Sequence, residues 1–302
     1  MADALRIRVL GSAAGGGFPQ WNCLCPNCRL AWQGDPRVRP RTQSSLAISA
    51  DGNRWLLLNA SPDLRQQIYA NSCLRPRGTT RQTPIAGVFL TNGDVDHLAG
   101  LLTLREQQAF TIYASASVLE QTKHGAFGVL NPDLVQRTPV ALEARIDMGL
   151  GFSIQPFAVP GKVPLYLEGD DVRIGEETDT TVGVAIECGT RRAIVIPGCA
   201  EVTDDVLRRV EGADVLFFDA TTFTDDEMIR FGLSQKTAWR MGHCAITGER
   251  GSLARFANSR IGRRVYTHIN NSNPILVEDS PERAKVEAAG WIVAHDGLEI
   301  AL

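Results

Sequence analysis

The chain has 302 residues, 44% of them hydrophobic and 22% charged, which is enough apolar material for one large domain or two small ones. Its formal net charge of −3 leaves no basic footprint, which argues against nucleic acid as a partner. No apolar run approaches the roughly 18 residues of a membrane span, and the first thirty residues lack the regions of a secretory signal, so a cytoplasmic protein without membrane insertion is expected.

In chain order, Leu5 to Leu10 reads as a first strand, ending in Gly11-Ser12-Ala13-Ala14-Gly15-Gly16-Gly17. Glycines there permit tight turns and close backbone approach. The spacing is not GxGxxG, and Phe18-Pro19-Gln20-Trp21 follows in place of a helix, so a dinucleotide loop is not expected. Next comes Cys23-Leu24-Cys25-Pro26-Asn27-Cys28, three of the seven cysteines within six positions. In a reducing compartment such clustering favours a metal over disulfides. Three thiolates at CxCxxC spacing can converge on one tetrahedral, structural Zn2+, with a fourth ligand from elsewhere; His295 and the Asn271 region are the candidates. The loop has little core of its own, so the metal would supply its folding energy. A redox role for Cys25 and Cys28 is less favoured, because a thioredoxin-type CxxC opens a helix behind a strand.

Further strands are predicted at Ser45–Ser49, Trp55–Asn59 and Ile85–Thr91, with a polar, basic and mobile surface loop from Arg75 to Thr83. The stretch Thr91-Asn92-Gly93-Asp94-Val95-Asp96-His97 then leads into a helix over Leu98–Ala109. An Asp-His pair where a strand gives way to a helix is well placed to hold a cation at the mouth of a sheet. Asp94 has three readings: a fourth ligand, a base toward substrate hydroxyls, or a loop carboxylate. Beyond it, strands are predicted at Thr111–Ala114, Phe152–Val159, Thr181–Cys188, Ala193–Pro197, Val215–Asp219, Val265–His268 and Trp291–Ala294. Helices are predicted at Ser117–His124, Asp204–Glu211, Gly248–Asn258 and Pro281–Ala289. Interspersed strands and helices with hairpin-like pairs indicate an α/β (layered α+β) fold of mixed sheets and helices, in a single domain over 1–302.

Of the five histidines, His97, His243 and His268 stand at element ends beside polar or glycine-containing loops, whereas His124 and His295 read as solvated or capping residues. Cys73, Cys188 and Cys244 read as packing thiols.

Four segments carry a resemblance: Val9 to Gly17 with Pro19-Gln20-Trp21-Asn22-Cys23, then Thr91 to His97, Met241-Gly242-His243, and Thr267-His268-Ile269-Asn270-Asn271. On these the chain resembles the metallo-β-lactamase-like superfamily and, within it, the pyrroloquinoline quinone (PQQ) biosynthesis protein B family. The resemblance implies an αββα sandwich of two mixed sheets flanked by helices, with a metal site at one edge. It also exposes a departure. Hydrolytic relatives carry His-x-His-x-Asp-His where this chain has Asn92, Asp94, Asp96 and His97. Val159-Pro160-Gly161-Lys162 lacks their mid-chain histidine, and Pro197-Gly198-Cys199-Ala200 stands in place of the turn that bears the bridging aspartate. By this reading the first metal site is dismantled, and Cys199 is a small buried residue. The second site keeps Asp96, His97 and His268, with His243 in an acid–base or supporting position.

Two imidazoles and one carboxylate suit a non-haem Fe(II) oxygenase, and also a catalytic Zn2+ that activates water. The implied pathway must oxidise a tyrosine-derived ring, which favours Fe2+ and a hydroxylase acting on a small-molecule or peptide-derived PQQ precursor. The alternatives are a non-catalytic carrier of PQQ or its precursor, aiding transport to the periplasm, and a mononuclear zinc metallohydrolase. Partners in such a role are other PQQ-pathway proteins and, in a homodimer, a second copy of the chain. Lys162, Lys236 and Arg240 are the cations placed to meet substrate carboxylates.

Overall fold

Continuous apolar runs such as Leu56-Leu57-Leu58 and Val215-Leu216-Phe217-Phe218 can be accommodated only by strands covered on both faces, and the computed structural model, which describes residues 5–78 and 80–302, places them so. One sheet comprises β1 (Arg6–Gly11), β2 (Ser45–Ser49), β3 (Trp55–Leu58), β4 (Ile85–Phe89), β5 (Phe110–Ala114) and β6 (Val135–Pro139). The other comprises β7 (Ile146–Asp147), β8 (Ser153–Gly161), β9 (Glu176–Cys188), β10 (Arg191–Ile196), β11 (Val215–Asp219), β12 (Arg263–Thr267) and β13 (Trp291–Val293). The final strand, β14 (Glu299–Ala301), returns to the first sheet beside β1. Strand orders are β14-β1-β2-β3-β4-β5-β6 and β13-β12-β11-β10-β9-β8-β7. Strands β3 to β6 pair in parallel, as do β10 to β13, and the remaining pairs are antiparallel.

The helices are α1 (Pro26–Trp32), α2 (Leu64–Ala70), α3 (Val95–Leu98), α4 (Ala116–Gln121), α5 (Asp204–Val210), α6 (Glu227–Arg230), α7 (Ala238–Met241), α8 (Ser252–Arg255) and α9 (Pro281–Ala288). Because side chains alternate across a strand, Phe217 and Val265 face inward to meet Ile7, Leu56 and Phe89 of the other sheet. Their neighbours Phe218 and Tyr266 face outward beneath Val206 of α5 and Val286 of α9. Leu57, Val88 and Ile112 do the same beneath Leu64 of α2 and Val118 of α4. Two helical layers therefore enclose two sheets, as the resemblance implied.

Three expectations are corrected. The helix predicted over Leu98–Ala109 is α3 followed by a 3-10 segment, Ala99–Leu104, because the Gly100 N–H bonds to the Ala60 carbonyl at 2.8 Å instead of continuing an α-helix. The helix predicted over Gly248–Asn258 shrinks to α8, since Gly248 adopts φ +101° and a Cβ on Gly251 would lie 2.5 Å from the Thr247 backbone. Conversely, α1 begins at Pro26 with Cys25 as its N-cap, so a helix does follow the cysteine loop. In the surface segment 75–83, Thr79 lies outside the described residues, and most of the remainder is exposed.

The ends of β4, β11 and β12 meet at one edge of the sandwich. A bridge between Asn92 and Thr181 ties the loop after β4 to β9, and another between Ala13 and Ile269 ties the glycine loop to the loop after β12. Loops at the carboxyl ends of parallel strands are the usual location of ligand sites in such folds.

Candidate metal centre

His97 sits in α3 immediately after β4, and Asp96 precedes it. His268 is the first residue past β12 and adopts φ +55°, a left-handed conformation that costs of order 1–3 kcal/mol in a non-glycine residue and is retained where surrounding structure enforces it. Those placements bring together residues 172 positions apart: Asp96 Oδ2 lies 3.2 Å from His268 Nε2 and 3.8 Å from His97 Nε2. Ligand atoms of all three residues fall within 4.8 Å of one another.

The hydrogen-bond network fixes which nitrogen each histidine presents. His97 Nδ1 donates to Asn92 Oδ1 at 2.6 Å. His268 Nδ1 donates to Thr221 Oγ1 at 2.9 Å, and the Thr221 hydroxyl donates onward to Asp219 Oδ1 at 2.7 Å. His243 Nδ1 donates to Asp219 Oδ2 at 2.7 Å. With Nδ1 occupied in all three rings, Nε2 is the nitrogen each ring turns to the cleft, free of a partner in His97 and against the Asp96 carboxylate in His268. Holding one ring nitrogen so that the other can bind a metal is the usual outer-sphere arrangement. His97 Nε2 is buried and has no hydrogen-bond partner among the described residues. That orphaned atom beside a carboxylate and a second imidazole is where the structure fits a cation.

Asp219, His243 and His268 are also mutually close, but they do not form a second such centre. The Asp219 carboxylate already accepts from the Cys199 and Thr221 N–H groups, the Thr221 hydroxyl and His243. It has no capacity left for an ion and acts as the anchor of two imidazoles. His243 stacks on His268 with ring centroids 5.2 Å apart, and His97 meets His268 edge-on at 5.3 Å.

Electrostatics follow from this crowding. Burial pushes the Asp94 carboxyl up to about 6, helped by the Asp96 charge. Burial also opposes ionisation of Asp96, yet His97 and His268 hold its carboxyl below the usual range. Burial lowers His97 to about 4, against the pull of Asp96, so its ring is neutral at physiological pH as a ligand must be. His268 is raised despite burial by its bond to Asp96. Asp219 is lowered, against burial, by His243.

Asp94 lies beside this set as the N-cap of α3 and accepts from Asn92 Nδ2 at 2.9 Å. Cys199, read from the sequence as a small buried residue, is fully buried and its thiol donates to the Glu201 carbonyl at 3.0 Å. Gly198 faces the cleft: a Cβ there would lie 3.8 Å from His243 Cε1 and 4.0 Å from Asn92 Nδ2. A Cβ on Gly15 would lie 3.5 Å from Asp96 Cγ. Glycine at both positions leaves room around the carboxylate and imidazoles.

The cysteines form a separate cluster. Cys23, Cys25 and Cys28 are buried with their sulfurs within 4.8 Å of one another. The Asn271 side-chain amide caps them, its nitrogen 3.1 Å from Cys23, 3.5 Å from Cys25 and 3.3 Å from Cys28. Of the two candidates for the fourth position, Asn271 is therefore at the sulfurs, while His295 bonds the Asp296 carbonyl and lines a separate cavity with Arg39, Arg41, Arg283, Glu278 and Glu287. His124 is exposed, as read from the sequence.

Sequence reasoning missed Asp219 and Thr221, and treated Asn92 only as a lost ligand. One signal for Asp219 was available: a lone carboxylate closing the apolar run Val215–Phe218 at a strand end, the same context that marked His268.

Comparison with known proteins agrees with this architecture. A family model described as a beta-lactamase superfamily domain matches residues 54–269. Coenzyme PQQ synthesis protein B of Methylorubrum populi is 58% identical, over 99% of this chain and all of that protein, and its counterpart in Xanthomonas campestris pv. campestris is 51% identical over the same shares. The crystal structure of Zn2+-bound PqqB from Methylobacterium extorquens superposes with a TM-score of 0.97 at 58% identity, covering 98% of this chain and 100% of that one. A diphosphatase of the PhnP family, at 20% identity and a TM-score of 0.70 over 100% of this chain and 98% of that one, shares the fold. The chain belongs to the coenzyme PQQ synthesis protein B family of the β-lactamase superfamily.

Proposed function

We propose that this protein is an Fe(II)-dependent hydroxylase of PQQ biosynthesis acting on a tyrosine-derived precursor. The observation that carries the reading is the convergence of Asp96, His97 and His268 with a buried, unpartnered His97 Nε2. Two imidazoles and a carboxylate on one face of an ion leave neighbouring positions for O2 and substrate, the pattern of non-haem iron oxygenases. Fe(II) held there would supply the activation of O2 that insertion into an aromatic ring requires.

The chain's own residues supply positioning and proton handling. Asn92 and Thr221 keep the Nε2 atoms of His97 and His268 turned toward the ion. His243, its Nδ1 proton held by Asp219, has Nε2 free to accept a phenolic proton as the ring is oxidised. Gly198 and Gly15 keep the approach clear.

At the second cluster, Cys23, Cys25 and Cys28 would hold a structural Zn2+, with the Asn271 side chain at the fourth position, where its amide oxygen rather than its nitrogen would be the donor. The Zn2+ in the Methylobacterium relative is consistent with zinc in this chain. Thiolate-rich sites are usually closed to substrate.

The test is O2 uptake with Fe(II), a reductant and tyrosine-containing precursor peptides, with hydroxylated product followed by mass spectrometry. Uptake should vanish in Asp96→Ala and His268→Ala. Undiminished turnover after removal of the Asp96-bound metal would refute the proposal, and Zn2+-dependent hydrolysis of phosphodiester or thioester substrates would replace it with a hydrolase.

A further inference from the structure

Away from the metal centre, Arg41 is a buried cation without a carboxylate. It is 4% exposed, the one buried arginine or lysine among the described residues. Its Nη1 donates to the Ser12 hydroxyl at 3.3 Å and to the Ala294 carbonyl, both neutral acceptors. Its Nε is buried with no hydrogen-bond partner. Lys162, Arg240 and Lys236 differ in this respect, since all three converge on Glu168, at 2.9, 3.1 and 3.6 Å. The acid nearest to Arg41 in sequence contact, Asp296, is already engaged: its carboxylate accepts from the N–H and the hydroxyl of both Ser12 and Thr42. Burial pushes the Arg41 guanidinium down to about 10, a shift that Asp296 opposes and Arg283 reinforces. The group is still charged near neutral pH, and a buried charge without a counter-ion is costly.

Arg41 lines a cavity of about 360 Å3 together with Arg39, Arg283, His295, Glu278 and Glu287. Glu278 lies 2.7 Å from Arg39 Nε and Glu287 2.8 Å from Arg283 Nε, so the two acids balance two of the three cations. The charge of Arg41 is left over. Arg39 and Arg41 come from the segment before β2, Arg283 from α9 and His295 from the turn after β13. His295 Nδ1 donates to the Asp296 carbonyl at 3.0 Å, which leaves Nε2 as the acceptor of that ring.

We infer that this cavity is an anion site in which Arg41, Arg39 and Arg283 hold phosphate, free or as the phosphate group of a monoester, and His295 accepts from a phosphate hydroxyl. Guanidinium groups match phosphate oxygens in pairs. A tetrahedral ion presents oxygens to donors from several elements at once, which a planar carboxylate does less well. Bound there, it supplies the counter-charge that Arg41 lacks and joins the segment before β2 to α9. The Arg41 backbone pairs with Phe18 at 2.7 and 2.9 Å, so the clamp extends to the glycine loop. The site is separate from Asp96, His97 and His268, and the inference does not rest on the reaction proposed for them.

The probes are inorganic phosphate, glycerol 3-phosphate and acetate, titrated calorimetrically into the full chain at constant ionic strength. Phosphate should bind with a Kd of about 1 mM or tighter, at least about tenfold tighter than acetate, and should raise the melting temperature. Arg39→Gln, at a largely exposed side chain, and Arg283→Gln should each weaken phosphate at least about fivefold. Arg255→Gln, the same change of charge on α8 outside the cavity, should leave the affinity as it is. Asp96→Ala should also leave it as it is, which separates this site from phosphate captured by a metal at the Asp96 centre. An ester that binds no tighter than phosphate marks the free ion as the ligand, and a tighter ester marks a phosphorylated small molecule. Phosphate binding no better than acetate, an affinity unchanged in both Arg39→Gln and Arg283→Gln, or binding lost in Asp96→Ala would overturn the inference.

Discussion

Asn92 holds the loop beside the candidate centre together through three hydrogen bonds. Its Oδ1 accepts from His97 Nδ1 and from the Asp94 backbone, and its Nδ2 donates to Asp94. Asn92→Ala removes the acceptor that sets the His97 tautomer, and affinity for Fe(II) or Zn2+ should fall by about 10- to 100-fold, measured by competition with a fluorescent chelator. Asn92→Asp keeps an acceptor at the same place and should retain most of that affinity. Sequence spacing gave the ligand candidates themselves, since Asp96, His97 and His268 stand at element ends. Their supports were harder to read: Asp219 closes an apolar strand, but its bond to His243, 24 positions on, and that of Thr221 to His268, 47 positions on, exist only in the fold.

A second residue makes a prediction in pH. Glu227 is buried in α6, where its carboxylate accepts from the Phe223 N–H and the Ser272 hydroxyl. Burial raises its carboxyl from the ordinary 4.5 to about 7. Between those values the folded chain binds more protons than the unfolded one, so stability declines as pH rises through the window and is fully present below it. The loss is at most about 3 kcal/mol. Glu227→Gln, which keeps an acceptor for Phe223 and can donate to Ser272, should flatten that dependence. Chemical denaturation from pH 4.5 to 8 measures it; equal slopes for both proteins would remove Glu227 from the account.

At the level of elements, the strands buried on both faces were legible from their apolar runs, with limits within about five residues of those observed, whereas β6, β7 and β14, sheet-edge strands with few buried residues, were not predicted. Helices were less legible where backbone contacts from distant segments decide their length. The segment after His97 has the spacing Leu98, Leu101, Leu102, Leu104 of a longer helix, but the Ala60 loop captures it: Ala60 N–H bonds to His97 O at 2.7 Å and Gly100 N–H to Ala60 O at 2.8 Å. The approach is so close that a Cβ on Gly100 would lie 2.1 Å from the Ser61 carbonyl oxygen. Gly100→Ala must therefore push α3 off the 60–61 backbone. It should cost about 2–4 kcal/mol and weaken metal binding through His97, both read from thermal denaturation with and without added metal. The helix α1 escaped prediction for a different reason: its cysteines were read as a loop because metal spacing dominated, although Pro26 at the first helical position was a valid start signal.

Across the whole molecule, the cysteine cluster joins segments about 250 residues apart. Asn27 Nδ2 donates to the carbonyls of Asn271 and Asn273, and the Asn271 amide lies on the three sulfurs, only three residues past His268. The same C-terminal loop is anchored by the Ala13–Ile269 bridge and by Asn273 donating to the Ala220 carbonyl, beside the Asp219–Thr221 anchor. The strained φ of His268 thus depends on a loop that the cysteine cluster fastens. Cys28→Ser, or chelation of the zinc proposed for the three thiolates, should lower the melting temperature and weaken metal binding at the Asp96 centre together. Asp96→Ala should abolish the second without lowering the first. Metal content by elemental analysis, set against melting curves for both variants, decides the matter. If Cys28→Ser lowers the zinc content but leaves affinity at the Asp96 centre unchanged, the two clusters are independent and the His268 backbone is held by the sheet alone.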